Sequence, residues 1–459
     1  MMDMKENKMG VWPVNKLLVT MSIPMIISML VQALYNVVDS MFVAQISENA
    51  LTAVSLAFPY QNLMIAVAVG TGVGVNALLS RALGEKKHKA VKDIADHSVF
   101  LALMSWLVFA ILGIVFCRNF FAMQTNVPEI VEGGTAYMRI CSVISIGLFI
   151  QIAFEKLLAS TGRTILTMYT QAAGALINIV LDPIFIFGLF GAPRLGIAGA
   201  AVATVIGQIC GALLGILLNH KFNPEVQLSF HDFRLKMPVI RQIYSIGVPS
   251  ILMSSIGSIM TFGMNKILIG FSTTAAAVFG VYFKLQSFVF MPVFGLNNGM
   301  VPILAYNFGA HKPKRIMDTI KLSLFYASLI MVIGFLIFQW MPATLLGIFN
   351  ASETMLNIGV PALRIISTHF LLAGISIICS TVQQAFGHGV RSLLISLIRQ
   401  LVVLLPVAYF LSIAHSLDMV WLAFPIAETV ALIMGVAYLI QTYKKEIKPM
   451  ETRSKEKIA

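Results

Sequence analysis

The residues best suited to chemistry lie together in one long apolar stretch, in the run Asn-Ile-Val-Leu-Asp-Pro at residues 178–183. An ionised aspartate in the middle of a bilayer costs about 2.5–3.5 kcal/mol by insertion scales. Pro183 has no N–H, so on a helix the carbonyl of Ile179 loses its partner and the helix is expected to kink. Asn178 lies one turn before Asp182 on the same face. A carboxylate, an amide and a freed carbonyl together predict a cation or proton site; the alternative is a kinked helix whose aspartate packs against a partner.

A second carboxylate, Asp39, is predicted to lie close to Asp182. Each is about four to six residues from the outer end of its apolar run, which at about 1.5 Å per residue places both at similar depth. Asn36 is expected to share the face of Asp39, and Thr204 to reach the same layer from the next run after that of Asp182. Two carboxylates in low dielectric do not both stay ionised cheaply, so the pair is expected to titrate as a unit and load a proton. The oxygens of Asp39, Asn178, Asp182 and Thr204 are also suitable ligands for Na⁺, and the residues leave the two ions open.

Four further charged residues fall inside apolar runs. Lys284 and Glu428 are expected at similar depth and to form a structural ion pair, with substrate binding as the alternative. Lys266 is interpreted either as a cation that replaces the loaded ion or as a lysine that snorkels to the interface. Glu155 is expected either to pair with the adjacent Lys156 or to contact a cationic substrate.

The composition is typical of a polytopic membrane protein. The 459 residues are 58% hydrophobic and 11% charged, with a mean hydropathy of +0.86. The net charge of +12 comes from basic residues between apolar runs, so we expect no nucleic acid. The four cysteines have no zinc spacing and are interpreted as apolar fillers. Twelve transmembrane spans are predicted, centred near Leu30, Ala66, Met104, Ser145, Ala175, Gly207, Ser258, Phe290, Leu329, Ser367, Val402 and Leu432.

Lys and Arg concentrate in alternate loops, which by the positive-inside rule predicts that both termini are cytoplasmic. The predicted organisation is a cytoplasmic N-terminus at 1–16, an N-lobe of six spans at 17–219, a cytoplasmic linker at 220–242, a C-lobe of six spans at 243–443 and a basic, disordered tail at 444–459.

A shift of 225 residues relates the two halves. It carries Pro24 to Pro249, Gln61 to Gln286, Gly70 to Gly295, Gly74 to Gly299, Gly84 to Gly309, Arg139 to Arg364 and Gly162 to Gly387. Each half has an even number of spans, so the repeat is parallel, with a pseudo-two-fold axis along the membrane normal. This duplication predicts a central cavity and alternating access. The same shift carries Asp39 to Met264 and Asp182 to Val407, so the carboxylate site is expected in one lobe only.

No nucleotide-binding or catalytic motif was found: there is no Walker A sequence, nucleophile elbow or HExxH. The chain is therefore expected to need no cofactor and not to be an enzyme, and transport would draw on an ion gradient. A receptor or membrane enzyme fits poorly, because neither a catalytic constellation nor a soluble sensor module is present.

The chain resembles the multidrug and toxic compound extrusion (MATE) family, in the bacterial DinF-like branch with the MepA-like exporters. The resemblance covers essentially the whole chain. The motifs on which it depends are NIVLDP at 178–183, YNVVD at 35–39, GTGVGVNALLSRALGEKK at 70–87, GLNNGMVPILAYNFGAHK at 295–312 and GIAGAAVAT at 196–204.

The resemblance implies two six-helix bundles arranged as a V, and export of cationic, amphipathic drugs by antiport against H⁺ or Na⁺ across the bacterial inner membrane. Asp39, Asn178, Asp182 and Thr204 match the family's N-lobe cation site. Some relatives carry an acid in the seventh and tenth spans; this chain has none there, which favours coupling in the N-lobe. We expect a monomer whose partners are these drugs and the lipid bilayer.

One alternative function is a flippase of lipid-linked oligosaccharides, which related two-lobed folds perform. Such a protein is expected to line its cavity with several cations for the pyrophosphate. The candidates in this sequence are limited to Lys266, Lys284, Arg139 and Arg364.

Overall fold

The computed structural model describes residues 6–228, 233–349, 351–413 and 416–456, and within these ranges all regular secondary structure is helical, with no β-strand. Among the described residues, ten helices are long and apolar enough to cross a membrane, and two bent helix pairs raise the number to twelve if each pair is one span. All twelve predicted centres fall within these elements or at their bends. The predicted fold class, an all-α membrane protein with a duplicated six-span half, is confirmed.

The spans are numbered in chain order. The first six are Val14–Ala44, Glu48–Gly84, His88–Ala122, the bent pair Pro128–Val143 with Ile146–Ser160, Thr164–Phe187 and Ile197–Phe222. Spans 7 to 12 are Met237–Ile269, Thr273–Gly309, Pro313–Trp340, the bent pair Glu353–Ser367 with Phe370–Ala385, Gly389–Ile413 and Leu417–Thr452. Short helices lie at Lys8–Val11, Leu189–Gly191 and Pro342–Gly347.

The chain forms two compact units whose limits differ from the predicted lobes. The N-terminal unit is Ile23–Ile251, and the C-terminal unit combines Met1–Ser22 with Leu252–Ala459. The first part of span 1 therefore belongs to the C-terminal unit, and the first part of span 7 belongs to the N-terminal unit. Pro24 and Pro249 lie inside these two helices, close to the points where they pass from one unit to the other.

Glycines explain this exchange of helix segments. A Cβ added to Gly74 on span 2 would lie 2.2 Å from the backbone oxygen of Ile243 on span 7. In the other unit, a Cβ added to Gly299 on span 8 would lie 2.5 Å from Oγ of Ser22 on span 1. Gly74 and Gly299 are related by the 225-residue shift, so the same close helix approach occurs once in each unit. Only a residue without a side chain permits it.

Gly74→Ala is expected to destabilise the protein by about 1–3 kcal/mol, because the new methyl overpacks against a backbone carbonyl. Gly280→Ala on span 8 is the matched control, since no atom lies within 4 Å of its added Cβ. It should be neutral or stabilising by up to about 1 kcal/mol, as expected for replacing a helical glycine. Thermal unfolding of the purified variants checks both; equal unfolding temperatures would contradict the packing argument.

The duplication extends to the local backbone. Ser47 and Ser272 each cap a helix, their Oγ atoms accepting from Ala50 N and Ala275 N at 3.0 Å. Lys86 and His311 both have positive φ, at 56° and 53°. Gly162 and Gly387, at 84° and 90°, are likewise related by the shift.

Spans 4 and 10 bend at corresponding places, by 45° and 47°. Ser142 Oγ donates to Met138 O at 2.7 Å in span 4, and Ser367 Oγ donates to Arg364 O at 3.1 Å in span 10. Hydroxyls that bond back to helix carbonyls often bend helices. The predicted span centres at Ser145 and Ser367 lie at these bends, but the bends themselves were not predicted.

The predicted linker and tail are partly structured. Lys236 in the linker donates from its backbone N to His97 Nε2 at 2.9 Å and from Nζ to Asp93 at 2.6 Å, both on span 3. The tail was predicted to be disordered, but helix continues to Glu456, with Ile447 buried and Glu446 paired with His388 at 2.6 Å. The last predicted tail residues, 457–459, lie outside the described ranges.

Candidate ion-coupling site

Asp39 on span 1 and Asp182 on span 5 lie in the interior of the N-terminal unit. Their relative exposures are 8% and 0%, and the two carboxyl groups are close enough to interact directly. Oδ1 of Asp39 and Oδ2 of Asp182 have no hydrogen-bond partner among the described residues. Two adjacent buried carboxylates cannot both be ionised cheaply. This arrangement favours uptake of a proton or a cation between them.

Asn178 and Thr204 join the pair as the sequence predicted. Asn178 Nδ2 lies 3.4 Å from Asp182 Oδ1 and 3.2 Å from Thr204 Oγ1, and donates to both. The Tyr35 hydroxyl lies 3.5 Å from Thr204 Oγ1. Asn178 Oδ1 is buried without a partner in the described chain. The cluster therefore presents carboxylate, amide and hydroxyl oxygens to one small region.

Close packing of spans 5 and 6 brings Thr204 to Asn178. A Cβ added to Gly207 would lie 2.6 Å from Gly174 O and 3.2 Å from Asn178 Cβ. Asn178 and Asp182 share one face of span 5 because they are four residues apart, and that face is buried. Pro183 follows within the same helix, so the Ile179 carbonyl receives no N–H from position 183.

The donor set suits a proton or a hard cation. All candidate ligands are oxygens, which hard cations prefer over nitrogen or sulfur. Among the described residues, no group of three or more His, Cys, Asp or Glu side chains could hold a metal ion, so a cation at this site would need the amide and hydroxyl oxygens as well as the two carboxylates. Asp39, Asn178, Asp182 and Thr204 are thus the residues that would hold Na⁺ if it binds.

The structure does not bring Asn36 to this cluster. Its side chain is exposed on span 1, whereas Asp39 is buried. The two residues were expected to share a face, but three positions on an α-helix leave them about 60° apart, since each residue turns about 100°. That difference is enough to separate a buried position from an exposed one.

Span 4 adds residues that the sequence analysis did not single out for the site. Tyr137 and Cys141 are buried and close enough to Asp39 to interact with it electrostatically. Gln61 on span 2 donates to Tyr137 Oη at 3.1 Å. The one sequence feature that could have pointed to these residues is Gln61, a polar residue in an apolar run that recurs as Gln286 in the other half.

Glu155 is buried, with 4% exposure, on the second segment of span 4. Its Oε1 lies 2.9 Å from Gln151 Nε2 and 3.1 Å from Thr170 Oγ1. Its hydrogen-bond partners are neutral groups rather than Lys156, with which local pairing was one expectation.

The C-terminal unit contains one correction. Glu428 pairs with Arg399 at 3.2 Å, not with Lys284 as expected. Lys284 is exposed and lies 5.8 Å from the Phe349 ring centroid. Arg399 was not among the charged residues singled out from the sequence. It lies within span 11, in a π-helical segment, Ile398–Leu404, which changes the direction of its side chains.

Positions equivalent to the acidic pair are apolar in that unit. Met264, the counterpart of Asp39, is buried, and Val407 replaces Asp182. Lys266 is exposed, in the last turn of span 7.

A duplicated, multi-span helical protein with an interior acidic pair in one unit defines a class of membrane transporter, and comparisons with known proteins identify the family. The MatE family model matches residues 24–184 and 249–410. The chain belongs to the MATE family, and it is a transporter rather than an enzyme. The resemblance stated from the sequence is confirmed.

Relatives and solved structures agree over nearly the full length. The chain is 26% identical to the Multidrug export protein MepA of Staphylococcus aureus over 432 residues, covering 94% of each. It is 26% identical to the protein of the same name from Staphylococcus haemolyticus, covering 93% of this chain and 94% of that one. An outward-facing multidrug resistance MATE transporter of the MOP superfamily matches with a TM-score of 0.90 and 25% identity, covering 98% and 99%. A Pyrococcus furiosus MOP superfamily transporter, described as having a binding pocket of reversed polarity, matches with a TM-score of 0.89 and 25% identity, covering 97% and 99%.

Proposed function

We propose that this protein exports amphipathic, mostly cationic compounds across the bacterial inner membrane in exchange for protons or Na⁺ that bind at Asp39 and Asp182. The observation that carries the proposal is the adjacent carboxylate pair, buried in the N-terminal unit with no basic partner among the residues that the structure describes. The names of the Staphylococcus relatives support drugs as the substrates. Both termini are proposed to be cytoplasmic and the protein to act as a monomer.

The site couples ion and drug through charge. When the acidic pair is empty, two like charges repel within a region of low dielectric, and when it is loaded that repulsion is removed. Span 1 carries Asp39 and span 5 carries Asp182, so loading changes the free energy of their packing. A ligand shifts a conformational equilibrium only by its differential affinity for the two states. Ion loading from outside then favours the state with low drug affinity.

The driving forces are sufficient. One charge crossing a potential of 100 mV supplies about 2.3 kcal/mol. A hundredfold drug gradient requires about 2.7 kcal/mol, because each factor of ten costs about 1.4. Export of a monovalent cationic drug against the same potential costs an equal amount, so a 1:1 exchange is electroneutral and draws on the concentration gradient of the ion. A hundredfold ion gradient, or a second coupling ion that crosses the potential, supplies what the drug gradient requires.

Ethidium efflux from proteoliposomes, with ΔpH and ΔNa⁺ imposed separately, tests this function. We expect efflux under at least one gradient and none when both are collapsed. Absence of flux under either gradient would contradict the proposal. Binding of a pyrophosphate-linked lipid in place of ethidium would instead favour the flippase alternative.

A further inference from the structure

Glu155 forms a second buried acidic group in the N-terminal unit, separate from the Asp39–Asp182 pair. It has no ion-pair partner among the described residues; its carboxyl contacts are the neutral groups of Gln151 and Thr170. The adjacent Lys156 is the charged residue that acts on it through space. Spans 5 and 6, which pack against this segment, place hydroxyls and glycines there, including Thr167, Thr170 and Gly215. An ionised carboxylate buried among neutral groups is costly.

The hydrogen count at Thr170 indicates the protonation state of Glu155. Thr170 Oγ1 lies 2.7 Å from Thr167 O and 3.1 Å from Glu155 Oε1. A hydroxyl has one hydrogen, while a carbonyl and an ionised carboxylate can only accept. If Glu155 were ionised, the single Thr170 hydrogen could make a full hydrogen bond to only one of these oxygens. If Glu155 is protonated, it donates to Thr170 Oγ1, Thr170 donates to Thr167 O, and both contacts are hydrogen bonds.

Gln151 completes the arrangement. Its Nε2 donates to the same carboxyl oxygen at 2.9 Å, which a carboxylic acid also accepts. Glycines hold the Gln151 side chain in place: a Cβ added to Gly211 would lie 2.7 Å from its Cδ, and one added to Gly174 would lie 3.6 Å from its Nε2. The result is a chain of donors from Gln151 through Glu155 and Thr170 to Thr167.

This chain lies on the same buried face of span 5 as the acidic pair. Thr170, Gly174, Asn178 and Asp182 follow at four-residue spacing and all are buried. Twelve residues separate Thr170 from Asp182, about 18 Å along the helix. Glu155 is five residues, about 8 Å, from the end of span 4 on the side predicted to be cytoplasmic. The Gln151 amide lies between the two acidic groups, beside Gly174.

We propose that Glu155 is a second proton-carrying carboxylate of the N-terminal unit, protonated in this conformation with Thr170 as its hydrogen-bond acceptor, and that it exchanges its proton with the cytoplasm at the inner ends of spans 4 and 5. The inference rests on the proposed ion-coupled function. After Glu155 loses its proton, the ionised carboxylate accepts a hydrogen bond from the Thr170 hydroxyl, and Thr167 O loses that bond. The new charge and the changed hydrogen bond alter the packing between spans 4 and 5. Glu155 thus provides a cytoplasmic proton site, distinct from the outer pair that loads the coupling ion.

Infrared spectroscopy of the full chain in an ester-free detergent tests the protonation directly, without transport. At neutral pH the wild type is expected to show a carboxylic acid C=O band that Glu155→Gln loses and Asp182→Asn keeps. Thr170→Val is expected to keep the band but shift it to higher frequency, because the acid loses its acceptor. An unchanged carboxylic acid spectrum in Glu155→Gln, or no shift in Thr170→Val, would overturn the proposal.

Transport separates this inference from the proposed function. ΔpH-driven ethidium efflux in Glu155→Gln should fall at least about tenfold, or 1.4 kcal/mol, while ethidium binding is retained. Glu155→Asp, which keeps a titratable group, should recover most of the efflux and its dependence on internal pH. Efflux in Glu155→Gln equal to wild type, with the same pH profile, would overturn the role of Glu155 alone. Failure of the wild type under every gradient would overturn the proposed function, while the infrared result would still report on Glu155.

Discussion

Asp182→Asn is expected to abolish ion-coupled export, reducing the drug gradient held by proteoliposomes from the wild-type value to unity. The amide keeps the shape and the contact with Asn178 but can neither bind a proton nor supply charge to a cation. Because only one carboxylate, Asp39, remains in the cluster, its repulsive coupling to a second charge is lost. For a hundredfold wild-type gradient the loss corresponds to about 2.7 kcal/mol of coupling.

The control for Asp182→Asn is Asp418→Asn. Asp418 is an exposed carboxylate near the start of span 12, outside the acidic cluster, and its substitution should leave efflux unchanged. Thermal unfolding and detergent gel filtration establish that both variants are folded. Undiminished gradient-driven efflux in Asp182→Asn would remove the acidic pair from the mechanism.

Asp39→Asn should resemble Asp182→Asn, and the double variant should be no worse than either. Residues that act as one unit have non-additive effects, and the directly interacting carboxyls of Asp39 and Asp182 meet that condition. The measurement is the ethidium gradient for the wild type, both single variants and the double variant. Independent, additive losses would indicate two separate sites.

Arg399→Met is expected to lower the free energy of unfolding by about 3 kcal/mol, the second large effect. The substitution keeps the aliphatic volume but leaves Glu428, with 4% side-chain exposure, without its cation. Removing one partner of a buried ion pair typically costs about 3–5 kcal/mol, and we take the lower end because Arg399 retains 24% exposure. Thermal or denaturant unfolding measures the change.

Arg399→Met/Glu428→Gln should recover much of this loss, since no uncompensated charge remains. Lys284→Met is the matched control: the structure gives Lys284 a contact with the Phe349 ring but no pairing with Glu428, so its substitution should have a small effect. If Lys284→Met were the more destabilising change, Lys284 would be the partner of Glu428 after all.

Most of the fold could be predicted because apolar length and repetition are direct signals. Every span follows from an apolar run, and the 225-residue shift recurs in the caps at Ser47 and Ser272 and in the left-handed turns at Lys86 and His311. The proximity of Asp39 and Asp182 could be predicted because the number of residues from the end of a span sets the depth of a side chain in the membrane.

What could not be predicted depends on rotation about helix axes. Asn36 and Asp39 differ in exposure although they are one turn apart, and the π-helical segment at Ile398–Leu404 accompanies the unexpected pairing of Arg399 with Glu428. Neither depth nor hydropathy contains that information. The exchange of the first parts of spans 1 and 7 depends on close contacts at Gly74 and Gly299 between residues far apart in sequence.

That exchange limits how the gene can be divided. A break in the linker would place the start of span 1 on a different polypeptide from the C-terminal unit in which it packs. It would likewise separate the start of span 7 from the N-terminal unit. Neither fragment would be a complete folding module by itself. Deleting the amino terminus as far as Ser22 would therefore destabilise the C-terminal unit, although the deleted residues lie at the opposite end of the sequence.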